Sequence, residues 1–311
     1  MMEGSALGTV PVSQETVRHF EESIHLPPGV ATGTYRIRPP LVKPSRLTAF
    51  SNGGVGKNLS DGWCLNFAVG CTHACPFCYV DEIHKRFGRS RFGDIVAQDW
   101  GNYLLLPENL TDVLEKTPWE RWAGEEVMMS STHDPYLPKL ARAARDILGH
   151  ALPAGVKICL QTRSYLVTKD LAFLASFPEQ VRLQISIATT NRDLSRLIEP
   201  RVPTPEARFE VLRQAKRLGL NVGVILAPIL PPIAVRHDVA ADIRVMARTL
   251  AKIDPQHIFG ESLHVRGQNL RLLEDALGEP VHFPAKFDTD TANIFHRELG
   301  NFGLRGTWWP A

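Results

Sequence analysis

The chain has 311 residues, of which 44% are hydrophobic and 22% charged. This is globular usage, and it excludes a disordered, collagen-like or small disulfide-stapled chain. Its 35 Lys and Arg against 33 Asp and Glu leave a net charge of +2, so any contact with nucleic acid has to be local rather than spread over the whole surface.

In chain order, residues 1–47 carry Pro27-Pro28-Gly29 and Pro39-Pro40 without a sustained period. They read as an extended arm over the main domain, with one short helix near 13–24. The N-terminal residues 1–22 lack an apolar core of the secretory type. The longest apolar stretch, 222–235, is interrupted by Pro228, Pro231 and Pro232 and is too short to span a bilayer, so a cytoplasmic protein without membrane contact is expected. The run Asn52-Gly53-Gly54-Val55-Gly56-Lys57-Asn58 is like a fragment of a phosphate-binding loop. It has Ser51 where that pattern needs Gly and Asn58 where it needs Ser or Thr, and it is better read as a turn.

A strand is expected at 64–69 and a helix after Cys78. Further strands are expected at 126–131, 156–162, 181–188, 221–227 and 257–263. They alternate with helices at 137–150, 169–177, 205–219 and 238–253. In the helix 205–219, Thr204 is placed to cap the N-terminus, Pro205 opens it, Phe209, Leu212 and Leu218 recur on one face, and Gly219 stops it. Such alternation implies parallel strands with right-handed crossovers, in a barrel or an open sheet. Six units are short of the eight that close a barrel. The domain reading is an arm at 1–47, a core at 48–265 and a C-terminal cap at 266–311 ending in the packed pair Trp308-Trp309.

Five cysteines are present, and Cys71, Cys75 and Cys78 fall within eight residues, poor geometry for a disulfide framework and good geometry for a metal. Thiolates are the natural ligands of iron-sulfur clusters, and three of them hold three irons of a cubane while leaving the fourth open. The rival is a zinc site completed by His73 or His84, but structural zinc usually takes two separated ligand pairs and no second cysteine pair exists here. Just beyond, Lys85, Arg86, Arg89 and Arg91 form a basic run. It reads as a solvated face or as a local contact for a phosphate backbone.

The spacing C-x-x-x-C-x-x-C, with Phe77 before the last cysteine, is similar to the signature of the radical S-adenosylmethionine (SAM) superfamily. More narrowly, six segments resemble, in order, those of its spore photoproduct lyase-like branch. They are Cys71 to Tyr79, Ser130-Ser131-Thr132-His133-Asp134-Pro135-Tyr136, Thr162-Arg163-Ser164, Ile185-Ser186-Ile187, Glu199-Pro200-Arg201 and Ala227-Pro228-Ile229-Leu230-Pro231. The resemblance covers about residues 55–265.

It implies a partial (β/α)6 TIM-type barrel, a 4Fe-4S cluster on Cys71, Cys75 and Cys78, and SAM on the open iron. Reduction would cleave SAM to a 5′-deoxyadenosyl radical that takes hydrogen from a substrate, with a nucleic-acid lesion or base one possibility. A cellular reductant such as flavodoxin or ferredoxin is the implied partner. Carried over by position, Ser186 and Arg163 stand where the branch contacts the cosubstrate, Arg163 replacing a lysine. The plainer alternatives are a strand serine facing the barrel interior and a surface ion pair. Asp134 and Glu199 follow expected strands, where a carboxylate can accept hydrogen bonds from ribose hydroxyls or substrate amines; their alternatives are a helix N-cap and a salt bridge. Two positions depart from the branch. Ser131 stands where photoproduct lyases carry the cysteine that returns a hydrogen atom, and Phe77 where they carry one of two relay tyrosines, leaving Tyr79 alone. A serine O–H bond is too strong to serve as an equivalent donor. Ser131 remains a candidate for the cosubstrate site and Tyr79 for the catalytic one. From other classes, an iron-sulfur electron carrier or sensor that cleaves no SAM, and a nucleic-acid-binding module using the basic run, stay open.

Overall fold

A computed structural model describes residues 26–45 and 58–310. The helix expected near 13–24 and all but the last residue of the glycine-rich turn lie outside the described residues. Strands β1 Ala31–Tyr35, β2 Val42–Pro44 and β3 Trp63–Leu65 come first, followed by helices α1 Val80–Phe87 and α2 Arg89–Phe92, strand β4 Tyr103–Pro107 and helix α3 Leu110–Lys116. Next come β5 Glu126–Met129, α4 Ala141–Ala151, β6 Lys157–Thr162, α5 Leu171–Leu174, β7 Val181–Ser186, α6 Arg192–Ile198, α7 Pro205–Arg217 and β8 Asn221–Ile229. The chain closes with α8 Val239–Ala251, β9 His257–Ser262, α9 Asn269–Leu277, α10 Phe287–Gly300 and β10 Thr307–Trp309. No described helix is long and apolar enough to cross a membrane.

Eight strands form one sheet in the order β10-β9-β8-β7-β6-β5-β3-β2. From β3 to β10 every neighbouring pair is parallel, and β2 lies antiparallel on β3. The edge strands β2 and β10 do not pair with each other, so the sheet is an open, partial TIM-type barrel. Its six expected strands are β3 and β5 to β9. Three features differ from the sequence expectation. Trp308-Trp309, read as a packed cap, belongs to β10, a further parallel strand on β9 in which Trp309 stacks on Phe259 at 4.5 Å. The 103–107 run pairs in parallel with β1 of the arm, a contact across some seventy residues that no local period announces. Leu218 follows the last turn of α7 as its C-cap and is 48% exposed, off the buried face of Phe209 and Leu212. The start and stop of α7 follow the sequence: Thr204 accepts from the Ala207 amide, Pro205 opens the helix, and Gly219 takes φ +78°.

Alternation along the strands gives the sheet two apolar faces. Val127, Ile158, Leu160, Leu183, Ile185, Val222 and Val224 join helix residues such as Ala144, Ile147 and Leu212 in the outer core. The residues between them build a separate inner cluster of Leu59, Cys64, Met128, Cys159, Ile225, Ala227, Phe259 and Trp309. Covering both faces is what a parallel sheet requires. Cys159 is therefore a fully buried wall residue of the inner face.

Candidate active site

The cysteines sit on the loop between β3 and α1, at the C-terminal end of the sheet, where α/β folds present ligand-binding groups. Close backbone contacts brace this loop. Gly70, at φ +91°, lies against the Tyr103 carbonyl and ring, and Gly101 leaves room for Ala74, itself in the left-handed region at φ 57°. A side chain at either glycine would collide with its neighbour.

Cys71 and Cys75 are buried and Cys78 half-buried. Burial pushes the Cys71 thiol up to about 12 and the Cys78 thiol to about 11, and holds Cys75 well above its ordinary value. Opposing this, the amides of Asp134 and His73 point at the Cys71 sulfur, those of Val80 and Asp81 at the Cys78 sulfur, and the Arg163 charge favours thiolate at Cys75 and Cys78. Protonated on their own, these thiols would ionise on binding a metal, with amide donors and a cation ready to stabilise the negative sulfurs. The donor set therefore fits an iron-sulfur cluster. Among the described residues no three His, Cys, Asp or Glu side chains are grouped to hold a single metal ion. The histidines of the zinc alternative are engaged elsewhere. His73 places Nε2 3.0 Å from Asp134 Oδ2 and Nδ1 3.1 Å from the Arg201 carbonyl, and His84 Nδ1 lies 3.0 Å from the Tyr103 hydroxyl.

Asp134, which follows β5, is buried and accepts four contacts. The Tyr136 amide donates to Oδ1 at 2.9 Å and the Thr162 hydroxyl at 2.6 Å, the Arg163 amide donates to Oδ2 at 2.6 Å, and His73 completes the set. Burial alone would raise this carboxyl, but the His73 ring and the hydrogen bonds outweigh it and the pKa lies below the ordinary value. Asp134 thus ties the cysteine loop to the ends of β5 and β6.

Glu199, fully buried, lies between two guanidiniums. Arg163 Nε donates to Oε1 at 3.0 Å, and Arg208 donates to Oε1 at 2.9 Å and also to Oε2. Here too burial raises the carboxyl and the arginines, Arg208 foremost, more than offset it, leaving the pKa lowered. Arg208, without exposed side-chain surface, also donates to the Ser186 carbonyl at 2.8 Å. The Ser186 hydroxyl, on the inner face at the end of β7, meets no protein partner among the described residues. Arg163, a quarter exposed, has its guanidinium 5.6 Å from the centre of the Phe77 ring.

Across the loop, the Tyr79 hydroxyl donates to the Ser131 carbonyl at 3.3 Å, and Arg266 sits 5.7 Å from the centre of the tyrosine ring. The Ser131 amide donates to Asn66 Oδ1 at 2.9 Å, while Asn66 Nδ2 donates to the Ser131 hydroxyl at 3.0 Å. The structure thus brings the three cysteines, Tyr79, Ser131, Asp134, Arg163, Ser186 and Glu199 to one end of the sheet. It adds Asn66 and Arg208, which sequence reasoning did not single out, and gives His73, weighed there as a zinc ligand, and Arg201, named there only within a motif, their places beside Asp134 and the cysteine loop. Arg208 carried one weak signal, a charge at a position of α7 flanked by buried Ala207 and Phe209.

Comparison with known proteins bears on the family and the fold. The model of the Radical SAM superfamily matches residues 65–243. An uncharacterized protein, ORF301, of Acidianus two-tailed virus is 56% identical over 280 residues, covering 90% of this chain and 93% of the viral protein. An uncharacterized protein of Mycobacterium tuberculosis is 26% identical over 208 residues, 65% of this chain and 59% of the mycobacterial one. In fold, the chain is similar to spore photoproduct lyase complexed with dinucleoside spore photoproduct. The TM-score is 0.62 at 14% identity, over 98% of this chain and 88% of that one.

Proposed function

The chain belongs to the radical SAM superfamily, and on that premise we propose that it is an enzyme that cleaves SAM reductively to initiate radical chemistry on a second substrate. The observation that carries this reading is the set of three cysteines on one braced loop, with amide donors on two sulfurs and the Arg163 charge beside Cys75 and Cys78. A 4Fe-4S cluster held by Cys71, Cys75 and Cys78 would supply one electron to the SAM sulfonium, breaking its bond to C5′ and giving methionine and a 5′-deoxyadenosyl radical that takes a hydrogen atom from the substrate.

The chain's own residues supply position and dryness. Arg163 is held by Glu199, and its remaining N–H donors can meet a carboxylate such as that of SAM. The Ser186 hydroxyl, unengaged on the inner face, is placed to meet a ribose hydroxyl. Ser131, locked to Asn66, fixes the β5 end of the same site. Asp134 and Glu199 act through His73, Arg163 and Arg208, which they orient. Tyr79, adjacent to Cys78 and bonded to the Ser131 backbone, is the aromatic group we assign to the reacting zone.

The test is anaerobic reconstitution with iron and sulfide, chemical reduction and addition of SAM, followed by assay for 5′-deoxyadenosine. Formation that depends on the cluster and disappears in the Cys71→Ala/Cys75→Ala/Cys78→Ala variant is expected. A full cluster that binds no SAM and yields no 5′-deoxyadenosine would favour an electron carrier or sensor instead.

A further inference from the structure

The cysteine loop is also held by a segment that the sequence reading places in the C-terminal cap. Residues Cys75 to Cys78 form a tight turn in which the Cys78 amide donates to the Cys75 carbonyl at 3.1 Å. The planar peptide that joins Phe77 to Cys78 is gripped at its other end as well. Asn269, the first residue of α9 and 3% exposed, donates from Nδ2 to the Phe77 carbonyl at 3.0 Å and to the His264 carbonyl at 2.8 Å. Its Oδ1 accepts from the Arg266 amide at 2.9 Å. Both amide hydrogens and the amide oxygen are thereby engaged. The side chain has one orientation that works, because the neighbours of Nδ2 are carbonyls and the neighbour of Oδ1 is an N–H. The same segment meets the loop's surroundings elsewhere. Leu263 and Leu273 share a buried cluster with Cys75 and Phe77. The Gly267 backbone, at φ +57°, lies against the Glu82 carboxylate of α1, and the Arg266 guanidinium stands 5.7 Å from the centre of the Tyr79 ring.

We infer that Asn269 is a positioning residue for Cys78: it fixes the peptide that carries this cysteine and ties it to the 264–268 loop beside Tyr79. The inference rests on the radical SAM reading for what Cys78 binds, whereas the hydrogen bonds belong to the chain alone. Metal sites tolerate errors of only about 0.2 Å in ligand distance, and the groups behind the ligands decide their orientation and how firmly the metal is held. A buried carbonyl without a donor is unfavourable. A turn deprived of Asn269 therefore gains by rotating the Phe77–Cys78 peptide toward water, and the rotation takes the Cys78 side chain with it. The amide also acts through its charge distribution. Its positive end faces the cysteine loop, and positive ends of dipoles favour the reduced state of a cluster, so losing the donor should lower the potential. The plainer alternative is that Asn269 only closes the start of α9, as short polar side chains do at helix ends. The bonds to His264 and Arg266 would suffice for that. The bond to Phe77, 192 residues away in sequence, is the one that a local cap does not need.

The test compares Asn269→Asp, which keeps the shape but puts an oxygen where Nδ2 donates, with Asn269→Ser, which is neutral and too short to reach Phe77. In the metal-free protein, alkylation by iodoacetamide is followed at each cysteine by mass spectrometry. Cys78 should react about tenfold faster in both variants, the ratio expected for losing one buried hydrogen bond, while Cys159 on the inner wall stays as protected as in the wild type. Equal Cys78 rates in wild type and variants would overturn the inference. Equal acceleration at Cys78 and Cys159 would do so too, since it would mean a general loosening of the fold. In the reconstituted protein the midpoint potential of the cluster should fall, further in Asn269→Asp than in Asn269→Ser, and iron should be lost to a chelator faster. An unchanged potential and an unchanged rate of iron loss would reduce Asn269 to a cap of α9. If the wild type assembles no cluster, the radical SAM reading fails, and the alkylation pattern still decides whether Asn269 sets the position of Cys78.

Discussion

The cysteine loop and the charged brace beside it solve the same task in opposite ways. The loop draws its ligands from eight consecutive residues, so its geometry is set locally by tight turns and by Gly70 and Gly101 packing on their neighbours. The brace is assembled from distant parts of the chain: Glu199 after α6, Arg208 in α7, Arg163 after β6, and Asp134 and His73 from two further loops. The loop presents thiols that would ionise on binding a metal, whereas the brace pairs its charges within the chain, Glu199 serving both Arg163 and Arg208. A buried carboxylate between two guanidiniums is tolerable only because its lone pairs are occupied. The reactive part is local and replaceable; the supporting part is distributed and interdependent.

Substitutions can break this contrast on either side. On the loop, Cys71→Ala should abolish cluster assembly, read as loss of bound iron and sulfide after reconstitution, with little change in the unfolding midpoint of the metal-free protein. A full cluster in that variant would remove Cys71 from the ligand set. In the brace, Arg208→Met should cost about 3–5 kcal/mol in urea unfolding, because it leaves Glu199 buried with one partner instead of two. Adding Glu199→Leu to it should restore part of that loss, and a double variant no more stable than the single one would show that the brace is not governed by charge pairing.

Next in size is a pH effect away from both. Burial lowers the His84 pKa to about 4, below the 6.5 of an unfolded histidine. Its folded pKa is depressed, so the unfolded chain binds the proton first as pH falls. Stability should drop between about pH 6.5 and 4, by on the order of 3 kcal/mol from this group. His133, lowered to about 3 by its own burial, adds to the same trend. Chemical unfolding of His84→Gln across that range should show a shallower slope than wild type, and an equal slope would mean that His84 does not carry the effect. The smallest change expected is Thr204→Ala, which removes the N-cap of α7 and should cost about 1 kcal/mol without altering cluster assembly.

The same contrast explains what the sequence made legible. Cys71, Cys75 and Cys78 stood out because their spacing is itself the chemistry. The strands β5 to β9 stood out because each buries alternate residues on two apolar faces. Arg208 did not, since a single arginine in an amphipathic helix is indistinguishable from a solvated one until Glu199 is seen beside it. Strand β10 escaped because three residues ending in Trp308-Trp309 carry no period, and the β1–β4 pair because its partners are joined only in three dimensions. Asp134 and Glu199 were identified as residues of the site by position, but their partners His73, Arg163 and Arg208 define what they do.

The central claim is that a cluster on these cysteines keeps one iron open for SAM. Electron paramagnetic resonance of the reduced, reconstituted protein, recorded with and without SAM, tests it most directly. The account predicts a reduced-cluster signal whose shape changes when SAM is added, and a much weaker change in Arg163→Leu. A signal identical with and without SAM in the wild-type protein would contradict it.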